Sequence, residues 1–154
     1  MVEELKPQVA VATFIINNEG KILLGKRKNQ SGYRLWGIPG GKLKMYEEPW
    51  VGALRETMEE TGMIVKIEDK FTFSSWFDIH EEIHWISLLY IATPADDSQK
   101  PRVVEKDKFF EWQWFYVNDV QNRPDLYYPL HVFFGDKRHM IALNAYVRKY
   151  GFRA

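Results

Sequence analysis

The chain contains no cysteine. Disulfides, zinc–thiolate sites and thiol catalysis are therefore excluded. It carries no net charge either, because 21 Lys plus Arg balance 21 Asp plus Glu. No overall field draws it to nucleic acid or to an anionic membrane, so neither is expected as a partner. No apolar run approaches the ~20 residues of a membrane span. The opening MVEELKPQ is polar and acidic, unlike a signal peptide. Internal repeats, low-complexity tracts and long linkers are missing as well. These absences lead to the expectation of a cytoplasmic protein. What is plentiful is apolar and aromatic: 45% hydrophobic residues, with 6 Trp, 8 Tyr and 10 Phe. Such a composition excludes a disordered chain. Its 154 residues suit a single domain, 1–154, with a substantial core.

The order of elements follows from pattern and punctuation. Val9 to Ile16 is a continuous β-branched and apolar run, read as a buried strand. Asn17-Asn18-Glu19-Gly20 is a turn signal, and Lys21 to Arg27 returns as a second strand, predicting a hairpin. Lys28 to Arg34 reads as a loop, and Leu35 to Pro39 as a short extended piece ahead of Gly40-Gly41. Pro49 can open a helix and Gly62 can close it. Met63 to Phe77 and Ile83 to Thr93 read as long strands, Pro94 to Asp107 as a mobile loop, and Phe110 to Val117 as an aromatic strand. In that strand Trp112, Trp114 and Tyr116 share one face and are read as core or sheet-face residues. Asn122 to Pro129 reads as irregular, and Met140 to Tyr150 as a helix ending at Gly151. His131 and His139 have no partner visible in the sequence. The fold class is α/β (α+β): a mixed sheet with helices packed on it.

The chemistry is concentrated between Gly40 and Gly62. Glu56, Glu59 and Glu60 are spaced i, i+3, i+4, which places three carboxylates on one helix face. Three like charges destabilise a bare helix. The pattern makes sense around a hard divalent cation, Mg²⁺ or Mn²⁺, which takes oxygen ligands. A cation held there polarises phosphoryl oxygens and acidifies water. A neighbouring carboxylate can take the proton. An Arg beside several glutamates suits bidentate pairing that fixes one of them.

From Gly41 to Gly62 the segment reads G-x5-E-x7-R-E-x-x-E-E-x-G. It resembles the Nudix box, and the chain resembles a MutT-like Nudix hydrolase. Thr57 departs from the aliphatic residue usual after Arg-Glu. It is read as lying on the buried side of the helix, with its hydroxyl bonded back to the preceding turn. LLGKR, W-x-x-PGG and the later W-x-W are similar to the branch that cleaves nucleoside triphosphates. The resemblance implies a Nudix fold, a mixed sheet between helices. It implies Glu56, Glu60 and the Gly40 carbonyl as metal ligands, with Glu59 as ligand or base. Arg55 would pair with Glu47, and Glu105 is the candidate for an extra carboxylate supplied by a loop. Arg27, Arg34, Gly41, Trp76 and His84 are the candidates for contact with substrate. The bland alternatives are a solvated acidic helix, strand-edge cations in water, and aromatics that serve packing.

The expected activity is metal-dependent cleavage of a nucleoside triphosphate, canonical or modified, to a monophosphate and pyrophosphate. A proline about sixteen residues after the box, common in ADP-ribose hydrolases, is replaced here by Asp78. The NADH-hydrolase array is absent. Rivals are a hydrolase of a sugar nucleotide or another nucleoside diphosphate derivative, and a non-catalytic nucleotide sensor. The resemblance also suggests a homodimer.

Overall fold

The computed structural model describes residues 4–152. Two sheets and their helices form it. Strands β1 (Gln8–Ile15), β4 (Gly40–Lys42), β5 (Val65–Asp78) and β6 (Ile83–Pro94) make a four-stranded sheet in the order β4-β1-β6-β5. Strands β2 (Ile22–Arg27), β3 (Trp36–Gly37) and β7 (Phe109–Phe115) make a second, in the order β3-β2-β7. Helices are α1 (Pro49–Thr61), α2 (Val117–Val120), α3 (Tyr128–Phe134) and α4 (Lys137–Tyr150). The larger sheet is mixed, since β1 runs parallel to β6 and antiparallel to β4. Among the described residues no helix is long and apolar enough to cross a membrane.

Alternation along β1 assigns the two faces of the larger sheet. Phe14 lies with Leu89 and Ile91 on one face, packed against Ile22, Leu24, Leu126, Leu130, Phe133 and Leu143. Val11 and Tyr90 lie on the other, packed against Ala53 of α1. Helices α3 and α4 thus cover one face and α1 the other, which is the expected sandwich.

The expected hairpin of the first two strands does not form. Both edges of β1 are taken by β4 and β6, so β2 pairs with β3 and β7 instead. The single bridge Ile16↔Ile22 remains where the chain passes between sheets. The segment read as a mobile loop is tied down at its start. Gln99 Nε2 donates to the Ile64 carbonyl and Gln99 Oε1 accepts the Ile64 N–H, each at 2.8 Å, and the Arg102 N–H donates to the Thr61 carbonyl at 2.8 Å. Helix α3 begins at Tyr128, inside the stretch Asn122 to Pro129 that was read as irregular, and continues to Phe134, where no element was expected. His139 does have partners: its ring stacks on Phe133, with centroids 4.6 Å apart.

Candidate active site

Helix α1 begins with Pro49 in its first turn and ends at Gly62, which takes φ 69° and donates its N–H to the Met58 carbonyl at 3.0 Å. This is the left-handed termination that glycine permits. Ala53, Glu56, Thr57, Glu60 and Thr61 face inward. Thr57 is buried as expected, but its hydroxyl has no partner. The bond back along the helix is made by Thr61, whose Oγ1 donates to the Thr57 carbonyl at 2.6 Å. Trp112, one of the expected core aromatics, donates its indole N–H to the Glu60 carbonyl at 3.1 Å and so joins β7 to the end of α1.

The three glutamates of the helix are not equivalent. Glu60 is 4% exposed and accepts the Gly40 N–H at 2.8 Å. Burial, with smaller contributions from Glu56 and Glu105, pushes its carboxyl up to about 8. Glu56 is nearly as buried and receives Arg55 Nη1 at 2.7 Å. Glu59 is half-exposed, with Arg55 Nη1 at 3.3 Å. Among the described residues no three acidic or imidazole groups stand ready-made around a metal position. Two buried carboxylates form the centre, with the third at the rim.

Arg55 organises the rest. Its Nε and Nη2 clamp Glu47 at 2.7 and 2.9 Å, and Nη2 also donates to the Lys42 carbonyl at 3.1 Å. The guanidinium holds the Glu47 carboxyl down at about 2. The expected Arg55–Glu47 pair is therefore present. Strand β4 brings the glycines alongside, with Gly40 opposite Ala12 and Gly41 opposite Val11. A side chain at position 41 would run into the Glu56 carboxylate, and one at 40 would strike the Val11 carbonyl. Glycine is required at both positions by close approach.

Glu105 arrives from the connection before β7. One carboxylate oxygen pairs with Lys108 at 3.0 Å, while Oε1 is buried without a partner. An orphaned carboxylate oxygen close enough to raise the Glu60 carboxyl is costly unless a cation joins them. The donor set is all oxygen, which suits a hard divalent ion. The residues present fit such an ion.

The register of the larger sheet extends the site. Trp76 pairs with Trp85, and Trp85 with Gln8. Two residues along β1, Ala10 pairs with Lys42; two further, Ala12 pairs with Gly40. Laterally paired residues share a face, so Trp76, Trp85, Lys42 and Gly40 line one side of the sheet. Trp76 stacks on Tyr128 at 5.7 Å, and Lys42 Nζ stands 5.8 Å from the Trp85 ring centre. Four residues of strand separate the Trp85 row from the Gly40 row, about 13 Å. Arg27 is largely buried, its guanidinium 3.8 Å from the Tyr127 ring centre, with Nε donating to the Ser31 carbonyl at 3.2 Å. Burial lowers its pKa, with Tyr127 and Glu60 opposing.

Two of the sequence candidates stand apart from this arrangement. His84 pairs with Phe77, one residue out of step with Trp76 and Trp85, so it lies on the opposite face, its Nε2 3.1 Å from Ser75 Oγ. The period of two in a strand forbids Trp76 and His84 from sharing a cleft wall. Arg34 is exposed, in the left-handed region at φ 65°, over the rings of Phe110 and Tyr33. Lys42 and Tyr128 were missed as members of the site. The glycine pair was the signal for Lys42, and nothing in the sequence marked Tyr128.

The NUDIX domain family model matches residues 6–133. The chain belongs to the Nudix family. Its likeness to MutT extends to solved structures. The crystal structure of a MutT Nudix hydrolase from Burkholderia pseudomallei shares 31% identity at a TM-score of 0.68, covering 90% of this chain and 96% of that one. An ADP-ribose pyrophosphatase of Bacillus subtilis (strain 168) is 34% identical over 112 residues, 71% of this chain and 58% of that protein. An RNA pyrophosphohydrolase of Rhodopseudomonas palustris (strain BisB18) is 24% identical over 148 residues, 82% of each chain. The chain is a MutT-like Nudix hydrolase, and its fold class is the one the box implied. The segment from Gly41 to Gly62 is its Nudix box.

Proposed function

We propose that this Nudix hydrolase is a divalent-metal-dependent pyrophosphohydrolase that cleaves a nucleoside triphosphate, canonical or modified, to the monophosphate and pyrophosphate. The observation that carries this reading is the continuity of one sheet face. It runs from an aromatic end at Trp76, Trp85 and Tyr128 to Gly40, about 13 Å away by strand rise, where the Gly40 N–H is bonded to Glu60 of α1, the helix that covers the sheet's other face. A base stacked at one end sets its phosphates at the other.

Glu56, Glu60, Glu105 and the Gly40 carbonyl would hold Mg²⁺ or Mn²⁺, with Glu59 at the rim. The ion, when bound, polarises phosphoryl oxygens and lowers the pKa of water. Glu59, half in solvent, would accept the proton of the attacking water. Arg55 does not touch substrate. It fixes Glu47 and Glu56 and ties β4 to α1 through the Lys42 carbonyl. Gly41 lets the chain pass close to Glu56, and Arg27 faces the phosphates from a rigid stack on Tyr127.

A second reading is favoured by the 34%-identical ADP-ribose pyrophosphatase: a nucleoside diphosphate derivative as substrate. The same carboxylate end serves either. The test is a panel of canonical and oxidised triphosphates, ADP-ribose, dinucleotides and sugar nucleotides, with products resolved by chromatography. Pyrophosphate and a monophosphate from a triphosphate, with the highest kcat/KM of the panel, is the expected result. A preference for ADP-ribose or a sugar nucleotide rejects the triphosphate assignment and leaves the anhydride chemistry standing.

A further inference from the structure

A row of side chains in ring contact joins the end of β2, where Arg27 stands, to the aromatic wall on β5. The Arg27 guanidinium is 3.8 Å from the Tyr127 ring centre. The Tyr127 and Tyr128 ring centres are 5.7 Å apart. Tyr128 in turn stacks on Trp76 at 5.7 Å, with 19° between the ring planes. One dipeptide at the start of α3 therefore touches both Arg27 and the base wall. Its backbone is fixed in place. The Tyr127 N–H donates to the Trp36 carbonyl at 2.8 Å, and the Trp36 N–H donates to the Asp125 carbonyl at 2.9 Å. Trp36 belongs to β3 and pairs with Lys26, the neighbour of Arg27 on β2.

The surroundings of Arg27 form a slot. Its Nε donates to the Ser31 carbonyl at 3.2 Å, and the Ser31 hydroxyl lies 3.2 Å from the Tyr127 hydroxyl. Gly32, at φ 68°, passes so close that a Cβ there would strike the Tyr127 ring and press on Arg27 Nε. Among the described residues no carboxylate pairs with the guanidinium, although the charge of Glu60 reaches it. A largely buried cation without a paired counter-charge is costly until an anion joins it. A guanidinium stacked on a ring keeps its in-plane N–H groups for that anion. Fixing it beforehand lowers the ordering cost of binding.

We propose that Tyr127 is a positioning residue, which holds the Arg27 guanidinium ready for the phosphates while its neighbour Tyr128 holds Trp76 of the base wall. Base wall and phosphate grip then share one support, and that support fixes the distance between them. Tyr127 acts through Arg27 and not on the substrate. The proposal rests on the reading of Arg27 as a phosphate contact given above.

A double-mutant cycle on the whole chain, read as kcat/KM for the best nucleotide of the panel, tests it. Tyr127→Leu should lower kcat/KM by about tenfold, and Arg27→Ala by at least as much. The double variant should match Arg27→Ala within a factor of about two, because a support has nothing to add once the group it holds is gone. Tyr127→Phe keeps the ring and should stay within a factor of about two of wild type. Tyr127→Met runs the same cycle should the leucine variant not fold. A double variant that shows the product of the two single losses overturns the proposal, since Tyr127 would then act independently of Arg27. So does a folded Tyr127→Leu or Tyr127→Met at the wild-type kcat/KM. Arg27→Ala at the wild-type value would instead remove the reading of Arg27 itself, and the proposal would fall with it.

Discussion

The carboxylate end and the aromatic end of the cleft are built in opposite ways. The carboxylate end comes almost whole from one stretch, Gly40 to Gly62, folded back on itself by Arg55. Only Glu105 is brought from elsewhere. The aromatic end takes Lys42, Trp76, Trp85 and Tyr128 from four elements, joined by sheet register, one ring stack and the approach of Lys42 to the Trp85 ring. Chemistry that needs charges at fixed spacing is secured by a local helix. The aromatic wall is assembled over distance, and on the proposed reading it is the part that would recognise the nucleotide. The activities of the relatives, an RNA pyrophosphohydrolase and an ADP-ribose pyrophosphatase, fit that division.

The largest effect should come from the carboxylate end. Glu60→Gln removes the most buried carboxyl of the site and should lower kcat by roughly 10³-fold, with KM little changed. A wild-type rate at saturating Mg²⁺ would refute the assignment of Glu60. The same variant has a signature in stability. Burial raises the Glu60 carboxyl from its ordinary 4.5 to about 8. The metal-free protein is therefore most favoured with Glu60 protonated, and that contribution is lost as pH rises from 4.5 through about 8. Thermal melts in chelator should show wild type losing stability over that window more steeply than Glu60→Gln. Mg²⁺ should restore the wild type selectively.

Arg55→Lys comes next. A lysine cannot hold Glu47 bidentately while reaching Glu56 and the Lys42 carbonyl. Activity should fall by about 10- to 100-fold. Glu47, held at about 2 by the guanidinium, stabilises the fold above its ordinary 4.5, and that contribution is lost as pH falls through about 2. The variant should therefore have a flatter acid limb in melts between pH 5 and 2. An unchanged acid limb would show that the pair is not formed in solution.

These two predictions rest on the part of the molecule that was legible in the sequence. Pro49, Gly62 and the carboxylate spacing specify α1 and its exposed faces by local rules, and the Arg55–Glu47 pair follows from the box. Glu105 was reachable by resemblance, though its orphaned oxygen was not. The strands were visible as runs, yet their partners were not. Nothing in Val9 to Arg27 tells that β1 has both edges taken, so the adjacent strand must join another sheet. His84 was misplaced for a related reason. Proximity to a turn says nothing about which face a residue takes; that is set by alignment with Trp76 and Phe77. Thr57 was correctly placed inside, but the sequence could not tell that Thr61 makes the bond back to the helix.

A sharper test of the comparison lies at the aromatic end. Trp76→Ala and Trp85→Ala should each raise KM for the preferred nucleotide by about tenfold and leave kcat within a factor of about two, since stacking contributes about 1–3 kcal/mol per base. His84→Ala should leave KM unchanged, because its ring is on the far face. Steady-state kinetics with one nucleotide decides this. A KM effect from His84 equal to that from Trp76 would mean that the strand register does not sort the residues as described.

The smallest effect is expected beneath the carboxylates, at Thr57. Its side chain is fully buried against the sheet and its hydroxyl finds no partner. Burying an unpaired hydroxyl costs about 1–3 kcal/mol, and a side chain of the same shape without it avoids that cost. Thr57→Val keeps the branched outline, and the Thr57 backbone carbonyl still receives the Thr61 hydroxyl. Valine is no worse than threonine in a helix by propensity. The variant should be more stable by about 0.5–1 kcal/mol. The kinetic constants should be unchanged, because the Thr57 hydroxyl makes no hydrogen bond to Glu56 or Glu60. Urea unfolding measures the first and steady-state rates the second. A loss of stability would reveal that the hydroxyl is satisfied in solution. A loss of rate with stability intact would place Thr57 among the residues that position the box, and the division between its chemical face and its packed face would have to be redrawn.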